Sequence, residues 1–238
     1  MKKFIFILLS VTVLTSCVYA NAKRYGVPSG IVEYKISTKG NLLGFATNSE
    51  GSSKLYFKDY GNVELREETI HQGGNANHVK TKFVNGMVYT VDEKKKIIIK
   101  SDMQSMMGDK NMKAMGEDML KQMGGKKIGK GKVLGYPCDI WTAMGSKMWF
   151  YKGVLLKLES SMLGIKTMQH ATKVKFGVHV PSSKFALPNY PIHTLNEYIQ
   201  EQTKSENSEK SSAPTPQVPK MEDVQKLMKG LGNMFGGH

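Results

Sequence analysis

The chain has 238 residues, a formal net charge of +14 and only two cysteines, Cys17 and Cys138. Two cysteines are too few for a multi-disulfide scaffold or a four-cysteine zinc site. The strong positive charge favours anionic neighbours such as lipid head groups or glycans.

Residues 1–22 have the pattern of a secretory signal peptide. Lys2 and Lys3 form a positive start, and an almost wholly apolar run occupies residues 4–14. This run is too short to span a bilayer, which needs about 20 apolar residues. Small residues follow it, as they do before a signal-peptidase cleavage site. We therefore expect export to the cell envelope, where nucleic acid is not an expected partner.

Two processing sites compete at the end of this segment. One is a lipobox-like sequence, Leu14-Thr15-Ser16-Cys17, in which Cys17 would be lipidated. The other is a small-x-small pattern at residues 18–20 or 20–22, which would release a soluble protein. The first predicts an outer-membrane-anchored lipoprotein, and the second predicts a periplasmic protein. The distinction matters because a lipid chain would hold the protein at a membrane surface.

Residues 23–202 are predicted to form one domain rich in antiparallel strands. Polar and apolar residues alternate over residues 31–38, as in a strand with one buried face. Asn85-Gly86 stands between two such runs and indicates a tight hairpin. The strands predicted for this half are residues 31–38, 54–60, 63–70, 78–84, 87–92 and 96–100.

A methionine-rich helical insert is predicted at residues 101–123. Gly108-Asp109 divides it, and Gly124-Gly125 ends it. Four of its methionines fall on one stripe at helical spacing, and three more stand close together before the division. The stripe is Met112, Met115, Met119 and Met123, and the earlier group is Met103, Met106 and Met107.

The second half returns to strands, predicted at residues 132–143, 147–151, 154–159 and 165–176. A short helix is expected at residues 191–202. Cys138 stands in an apolar strand and is expected to be a small buried hydrophobic residue. The lysine-rich stretches 94–96 and 126–132 are expected to be solvated faces or hairpin tips.

The C-terminal part differs in composition. Residues 203–220 are rich in Ser, Glu, Lys and Pro, and they predict a disordered linker. Residues 221–238 are predicted to hold a short amphipathic helix with Val224, Leu227, Met228 and Leu231 on one side.

Several segments carry a family resemblance: residues 29–34, 55–61, 85–92, 135–138, 149–157 and 185–188. In their order around the helical insert they resemble the LolA/LolB-like lipoprotein-carrier superfamily, in particular an uncharacterised bacterial envelope branch. The resemblance implies an α+β fold in which an antiparallel, unclosed β-barrel, or half-barrel, has its concave face covered by helices. In the carrier proteins that cavity holds acyl chains.

These observations together predict a non-catalytic envelope protein that binds an acyl chain, a lipid, a lipoprotein or another apolar ligand. An anionic membrane surface and an envelope protein are further candidate partners. No cofactor is expected, because no His, Ser or carboxylate motif of a known catalytic or metal site is present. The predicted ligand contacts are Met112, Met115, Met119, Met123, Trp141, Trp149 and Tyr151.

Two alternatives remain open at the level of sequence. Met thioethers are soft ligands that suit Cu(I), so Met103, Met106 and Met107 could form a periplasmic copper site. The chain could instead be a structural or assembly partner that presents the helix of residues 221–238 on its linker.

Overall fold

The computed structural model describes residues 23–42, 45–46, 48–102, 120–121, 124–162 and 164–208. The chain divides into two compact units, residues 1–193 and 194–238. Among the described residues, the first unit consists almost entirely of strands. The predicted signal segment, most of the methionine-rich insert and residues 209–238 lie outside the described residues.

In the described part of the chain, thirteen strands form one sheet. In chain order they are β1 (Gly30–Leu42), β2 (Phe45–Ala46), β3 (Ser49–Lys58), β4 (Val63–Gln72), β5 (Asn75–Val84), β6 (Met87–Asp92), β7 (Ile97–Asp102), β8 (Lys126–Val133), β9 (Tyr136–Ala143), β10 (Ser146–Tyr151), β11 (Val154–Met162), β12 (Ile165–Phe176) and β13 (Ile192–Thr194).

The sheet is unclosed. Its strand order is β13-β7-β6-β5-β4-β3-β1-β12-β11-β10-β9-β8, with β2 paired to β1, so β13 and β8 are the two edges. Neighbouring strands from β7 to β8 in this order pair antiparallel. The predicted antiparallel half-barrel is therefore confirmed.

Alternation along β1 defines a core face of the sheet. Val32 and Tyr34 are 0% and 2% exposed, whereas Lys35 between Tyr34 and Ile36 is exposed. The core face of β1 and β3 packs against side chains of the other half of the sheet, as expected for a curled sheet. This main cluster includes Val32, Tyr34, Leu55, Phe57, Cys138, Trp149, Val154, Leu156 and Ala171.

The opposite face of β3 and β4 is also covered. Tyr56 and Leu65, which are paired across the two strands, pack with Val180 and Phe185 from the segment after β12. A 3₁₀ helix, Ser182–Phe185, places the phenyl ring there. The start of β4 is therefore buried on both faces, which leaves its polar side chains no solvated side.

The methionine-rich insert contributes one described helical contact to the sheet. Leu120 and Lys121 are helical, and Leu120 packs against a cluster of Ala143, Met148, Leu155 and Leu158. The predicted covering helix is thus described only at these two residues.

Two-residue turns with positive φ at both positions join several strands, because such turns match the right-handed twist of a hairpin. The predicted turn at Asn85-Gly86 has φ of 50° and 80°, and the turn at Lys152-Gly153, between the predicted strands 147–151 and 154–159, has φ of 47° and 82°. The predicted single strand at residues 132–143 is wrong, because a similar turn at Leu134-Gly135 divides it into β8 and β9. Leucine is unusual at such a position, so the pattern did not reveal the turn.

The lysine-rich stretches are solvated, as predicted. Lys94 and Lys95 lie in the β6–β7 turn and donate backbone hydrogen bonds to Asp92 Oδ1 at 3.0 and 2.9 Å. The stretch at residues 126–132 is the exposed edge strand β8 rather than a hairpin tip. Lysines on an edge strand oppose pairing with another chain.

The second unit contains one described helix, α1 (Leu195–Ser208). It begins later than the predicted helix because β13 occupies residues 192–194. A capping box fixes its start: Glu197 N donates to Thr194 Oγ1 at 3.2 Å, and Thr194 N donates to Glu197 Oε2 at 2.6 Å. The helix continues through Ser208, into the predicted linker, since Glu, Gln and Lys are good helix formers.

Candidate functional site: a charged row on the core face

Strand β4 places three charged side chains on the core face. Register pairs Glu64 with Phe57 and Glu68 with Ser53, both on the face that carries Tyr34, and Arg66 lies between the two carboxylates. The alternating residues, including Leu65, face the other apolar layer. We call Glu64, Arg66 and Glu68 the charged row of β4.

Glu64, the first residue of the charged row, binds the side chains of Arg24 and Tyr25 near the start of the described chain. The Arg24 guanidinium forms an ion pair with Glu64 at 3.0 Å, and the two side chains are 1% and 11% exposed. The Arg24 guanidinium also donates to Gly61 O and lies 4.2 Å from the ring centroid of Phe83. The Tyr25 hydroxyl donates to the same carboxylate. Burial and the neighbouring Glu64 raise the pKa of Tyr25, so it stays a neutral donor.

The middle of the row contacts two further strands. Arg66 Nη1 donates to Ser53 Oγ at 3.3 Å, and its guanidinium lies 5.4 Å from the Tyr34 ring centroid. The Tyr34 hydroxyl donates to Leu155 O at 2.9 Å, which connects β1 to β11. Burial raises the pKa of Tyr34, so the phenol is a permanent donor at ordinary pH. A guanidinium on this face can bind a carboxylate or phosphate.

One carboxylate oxygen of Glu68, the last member of the row, lacks a hydrogen-bond partner among the described residues. Glu68 Oε2 is buried and has no hydrogen-bond partner in the described part of the chain, and the same holds for Nε2 of Gln169, which is 2% exposed. Burial raises the pKa of Glu68, although Arg66 opposes the shift. A buried polar atom left unpaired costs about 1–3 kcal/mol. A polar ligand group could therefore form a hydrogen bond with either of these two atoms.

A cavity of about 570 Å³ lies across β1, β3, β4 and β5, and most of its lining residues alternate with the charged row and therefore lie on the opposite face of the sheet. Two ion pairs line it, Lys54–Glu33 at 3.0 Å and Lys80–Glu67 at 3.4 Å. Its lining is mostly polar: Glu33, Tyr34, Lys35, Ser52, Ser53, Lys54, Glu67, Glu68, Thr69, His78, Val79, Lys80, Glu93 and Thr172.

The predicted aromatic ligand contacts lie elsewhere. Trp141 and Trp149 are 3% and 8% exposed. Tyr151 packs in the main cluster and stacks on Phe176 at a centroid distance of 5.3 Å. None of the three lines the cavity, and their role in ligand binding remains a prediction. The other predicted positions lie outside the described residues: Cys17, Met103, Met106, Met107, Met112, Met115, Met119 and Met123.

Cys138 is a free, buried thiol, 2% exposed, as the strand context predicted. Burial raises its pKa, so the unreactive thiol form is favoured.

Within the described ranges, no three His, Cys, Asp or Glu side chains lie close enough together to hold a metal ion. No helix among the described residues is long and apolar enough to cross a membrane.

The charged row was not identified from the sequence. Val63-Glu64-Leu65-Arg66-Glu67-Glu68 alternates, and the usual interpretation turns the apolar residues toward the core and the charges toward solvent. The structure buries both sets at the start of the strand. The period-two spacing of Glu64, Arg66 and Glu68 was the available signal.

No protein-family model matches the sequence, and no curated protein matches it. Solved structures with a similar chain path include an uncharacterized conserved protein from Thermus thermophilus, at 8% identity and a TM-score of 0.41, covering 68% of this chain and 90% of that one. They also include a LolA superfamily protein from Nitrosomonas europaea, at 10% identity and a TM-score of 0.35, covering 71% of this chain and 94% of that one.

A third similar structure is the Pseudomonas aeruginosa MucA/MucB complex, at 10% identity and a TM-score of 0.37. The match covers 67% of this chain but only 56% of that one. The half-barrel architecture itself rests on the strand order and register of this chain.

Proposed function

We propose that this chain is an exported cell-envelope protein that binds an amphiphilic ligand, such as a fatty acid, a lipid or the acyl part of a lipoprotein, without catalysis. The observation that carries the proposal is the pair of unpartnered polar atoms on the core face, Glu68 Oε2 and Gln169 Nε2, which lack partners among the described residues. They lie on a face that also carries Arg66, inside a sheet that does not close.

The core face changes character along its strands, which suits a ligand with two unlike parts. Val32, Leu55 and Phe57 near one end are apolar and almost fully buried. Tyr34, Ser53, Arg66 and Glu68 follow toward the other end. Val32, Leu55 and Phe57 are already packed against the other half of the sheet, so the acyl chain is proposed to lie against the methionine stripe of residues 112–123, with its polar group at Arg66.

Export, and residence in the periplasm or at the outer membrane, belong to the same proposal. They rest on the signal-like residues 1–22. The copper and assembly alternatives depend on residues 103–107 and 221–238, and no described residue favours either of them.

The test compares two ligands that differ only in the head group. Full-length mature protein is titrated with a fluorescent fatty acid and with the matching fluorescent fatty alcohol, and native mass spectrometry records any co-purified lipid. Arg66→Gln should weaken binding of the acid about tenfold or more, because a charge-assisted hydrogen bond contributes about 1.5–3 kcal/mol. It should change binding of the alcohol much less.

Lys157→Gln is the matched control, because Lys157 pairs with Glu159 at 2.7 Å and does not belong to the charged row. Its affinities for both ligands should equal those of the wild type. An apo mass combined with no uptake of either ligand would refute the proposed function. Equal losses for acid and alcohol in Arg66→Gln would refute the assignment of the head group to the charged row.

A further inference from the structure

The start of the described chain and several turns lie at one end of the sheet. Antiparallel neighbours bring alternate turns to the same end, which here includes the turns at Asp59–Gly61, 85–86, 134–135 and 152–153. Tyr25 N donates to Tyr60 O at 2.9 Å, and Gly26 N donates to Lys152 O at 2.8 Å. We call this the N-terminal end of the sheet.

The point at which the chain enters this end is fixed. The Arg24 side chain is 1% exposed and bonded to Glu64, so the preceding residue, Lys23, has a defined position at the surface. Lys23 Nζ lies 4.2 Å from the Tyr60 ring centroid. Lys23 lies six positions after Cys17, and an extended chain spans at most about 3.3–3.6 Å per residue. A lipid on Cys17 would therefore lie within about 20 Å of this end.

The other processing route leads to the same end. Cleavage after Ala20 or Ala22 would place the new α-ammonium group, rather than a lipid, on Asn21 or on Lys23 itself. Both routes bring a membrane-attracting group, either an acyl chain or a positive charge, to the N-terminal end of the sheet.

The described surface at this end is basic. Lys23, Lys132, Lys152 and Lys184 are exposed. Lys184 belongs to this end because Ser182, two residues before it, accepts a hydrogen bond from Lys58 Nζ at 2.9 Å, and Lys58 ends β3. The carboxylates at the described part of this end are Asp59, Asp102 and Glu64, and Glu64 is buried against Arg24. Four exposed lysines at this end therefore outnumber the two carboxylates that are not buried, Asp59 and Asp102.

A leucine projects from the same end. Leu134 is 53% exposed and has a φ of 50° as the first residue of its turn, before Gly135 at 83°. Asn, Asp and Gly are favoured there because the left-handed region is costly for other residues. A leucine held in this conformation at a loop tip does not contribute to the core, but it can enter the interfacial region of a bilayer.

We propose that the N-terminal end of the sheet docks on an anionic lipid bilayer. Lys23, Lys132, Lys152 and Lys184 contact the head groups, and Leu134 inserts between them. A single acyl chain gives only marginal membrane binding, and a basic patch is the usual second signal. The docked orientation would leave the opposite end of the sheet facing away from the membrane. This inference concerns a surface distinct from the charged row and stands independently of the proposed ligand.

Co-sedimentation with vesicles tests the proposal without any lipid anchor. The chain from Asn21 to His238 is mixed with vesicles of phosphatidylcholine, or of equal parts phosphatidylcholine and phosphatidylglycerol. Binding should require phosphatidylglycerol and weaken with salt. Each lysine near an anionic surface contributes about fivefold to the partition coefficient. Replacing Lys23, Lys132, Lys152 and Lys184 by Gln should therefore reduce binding about a hundredfold or more.

The matched control carries four Lys→Gln changes at the opposite end, at exposed Lys39, Lys94, Lys96 and Lys166. It has the same net charge and should keep most of the binding. Equal losses in the two quadruple variants would show attraction by net charge alone and would overturn the proposal. Failure of the wild type to bind, or equal binding to neutral vesicles, would also overturn it.

A second pair of variants addresses orientation without changing charge. Leu134→Asn suits its turn and should fold normally, yet it should weaken vesicle binding several-fold. Met144→Asn is the control, because Met144 is 39% exposed with a φ of 46° in the equivalent turn at the opposite end. Met144→Asn should bind as the wild type does. The reverse result would place the other end of the sheet on the membrane.

Discussion

Breaking the Arg24–Glu64 pair should destabilise the protein strongly. The two side chains are 1% and 11% exposed, so removal of Arg24 leaves a carboxylate in a site that solvent scarcely reaches. Loss of one partner of a buried ion pair costs about 3–5 kcal/mol. The Arg24→Met variant retains an apolar contact with Phe83 but also loses the bond to Gly61 O. Because Tyr25 still donates to Glu64, we expect a loss of about 4 kcal/mol in the free energy of unfolding.

The double variant separates the buried charge from the packing. In Arg24→Met/Glu64→Gln the remaining carboxamide is neutral and can still accept the Tyr25 hydroxyl, so the free energy of unfolding should return to within about 2 kcal/mol of the wild type. Urea unfolding monitored by tryptophan fluorescence measures both values. In a thermal melt, the single variant should fall by about 8–16 °C, at about 2–4 °C per kcal/mol for a domain of this size.

A surface pair provides the comparison. Lys54 and Glu33 are 3.0 Å apart, but their side chains are 40% and 38% exposed. Lys54→Met should therefore cost less than about 1 kcal/mol. A similar loss in Lys54→Met and Arg24→Met, or a double variant less stable than Arg24→Met, would refute the assignment of a buried, paired charge at the N-terminal end.

Two further predictions concern single buried groups. Burial raises the pKa of Glu68 above its ordinary value of 4.5. The protonated side chain therefore favours the folded state below pH 4.5, and this contribution to the free energy of unfolding is lost as the pH rises from 4.5 through the folded-state pKa. Glu68→Gln should remove that loss, so its stability relative to the wild type should increase with pH in urea titrations across this interval; a constant difference would contradict the raised pKa. Cys138 should react with a thiol reagent at neutral pH only after unfolding in urea, because it is buried and its pKa is raised; rapid reaction of the folded protein would show that the thiol is accessible.

The hairpins were predictable because their signals are local. Asn85-Gly86 forms the tight hairpin that the sequence predicted, with positive φ at both residues, and β6 has the predicted bounds, residues 87–92. Boundaries failed where a signal was weak. β8 lacks an apolar pattern because it is a solvated edge strand, and Leu134-Gly135 lacks the usual first residue of its turn.

The amino-acid sequence by itself determined the signal-like start, the succession of strands and the burial of Cys138, since each depends on local composition or on period-two spacing. Only the tertiary structure decided which side of β4 faces the core, because alternation defines two faces without saying what covers either one. Phe185 and Val180 cover the apolar face of β4, so Glu64, Arg66 and Glu68 turn inward. The ion pair of Arg24 with Glu64 joins positions 40 residues apart in the chain, and only the folded sheet brings such distant positions together.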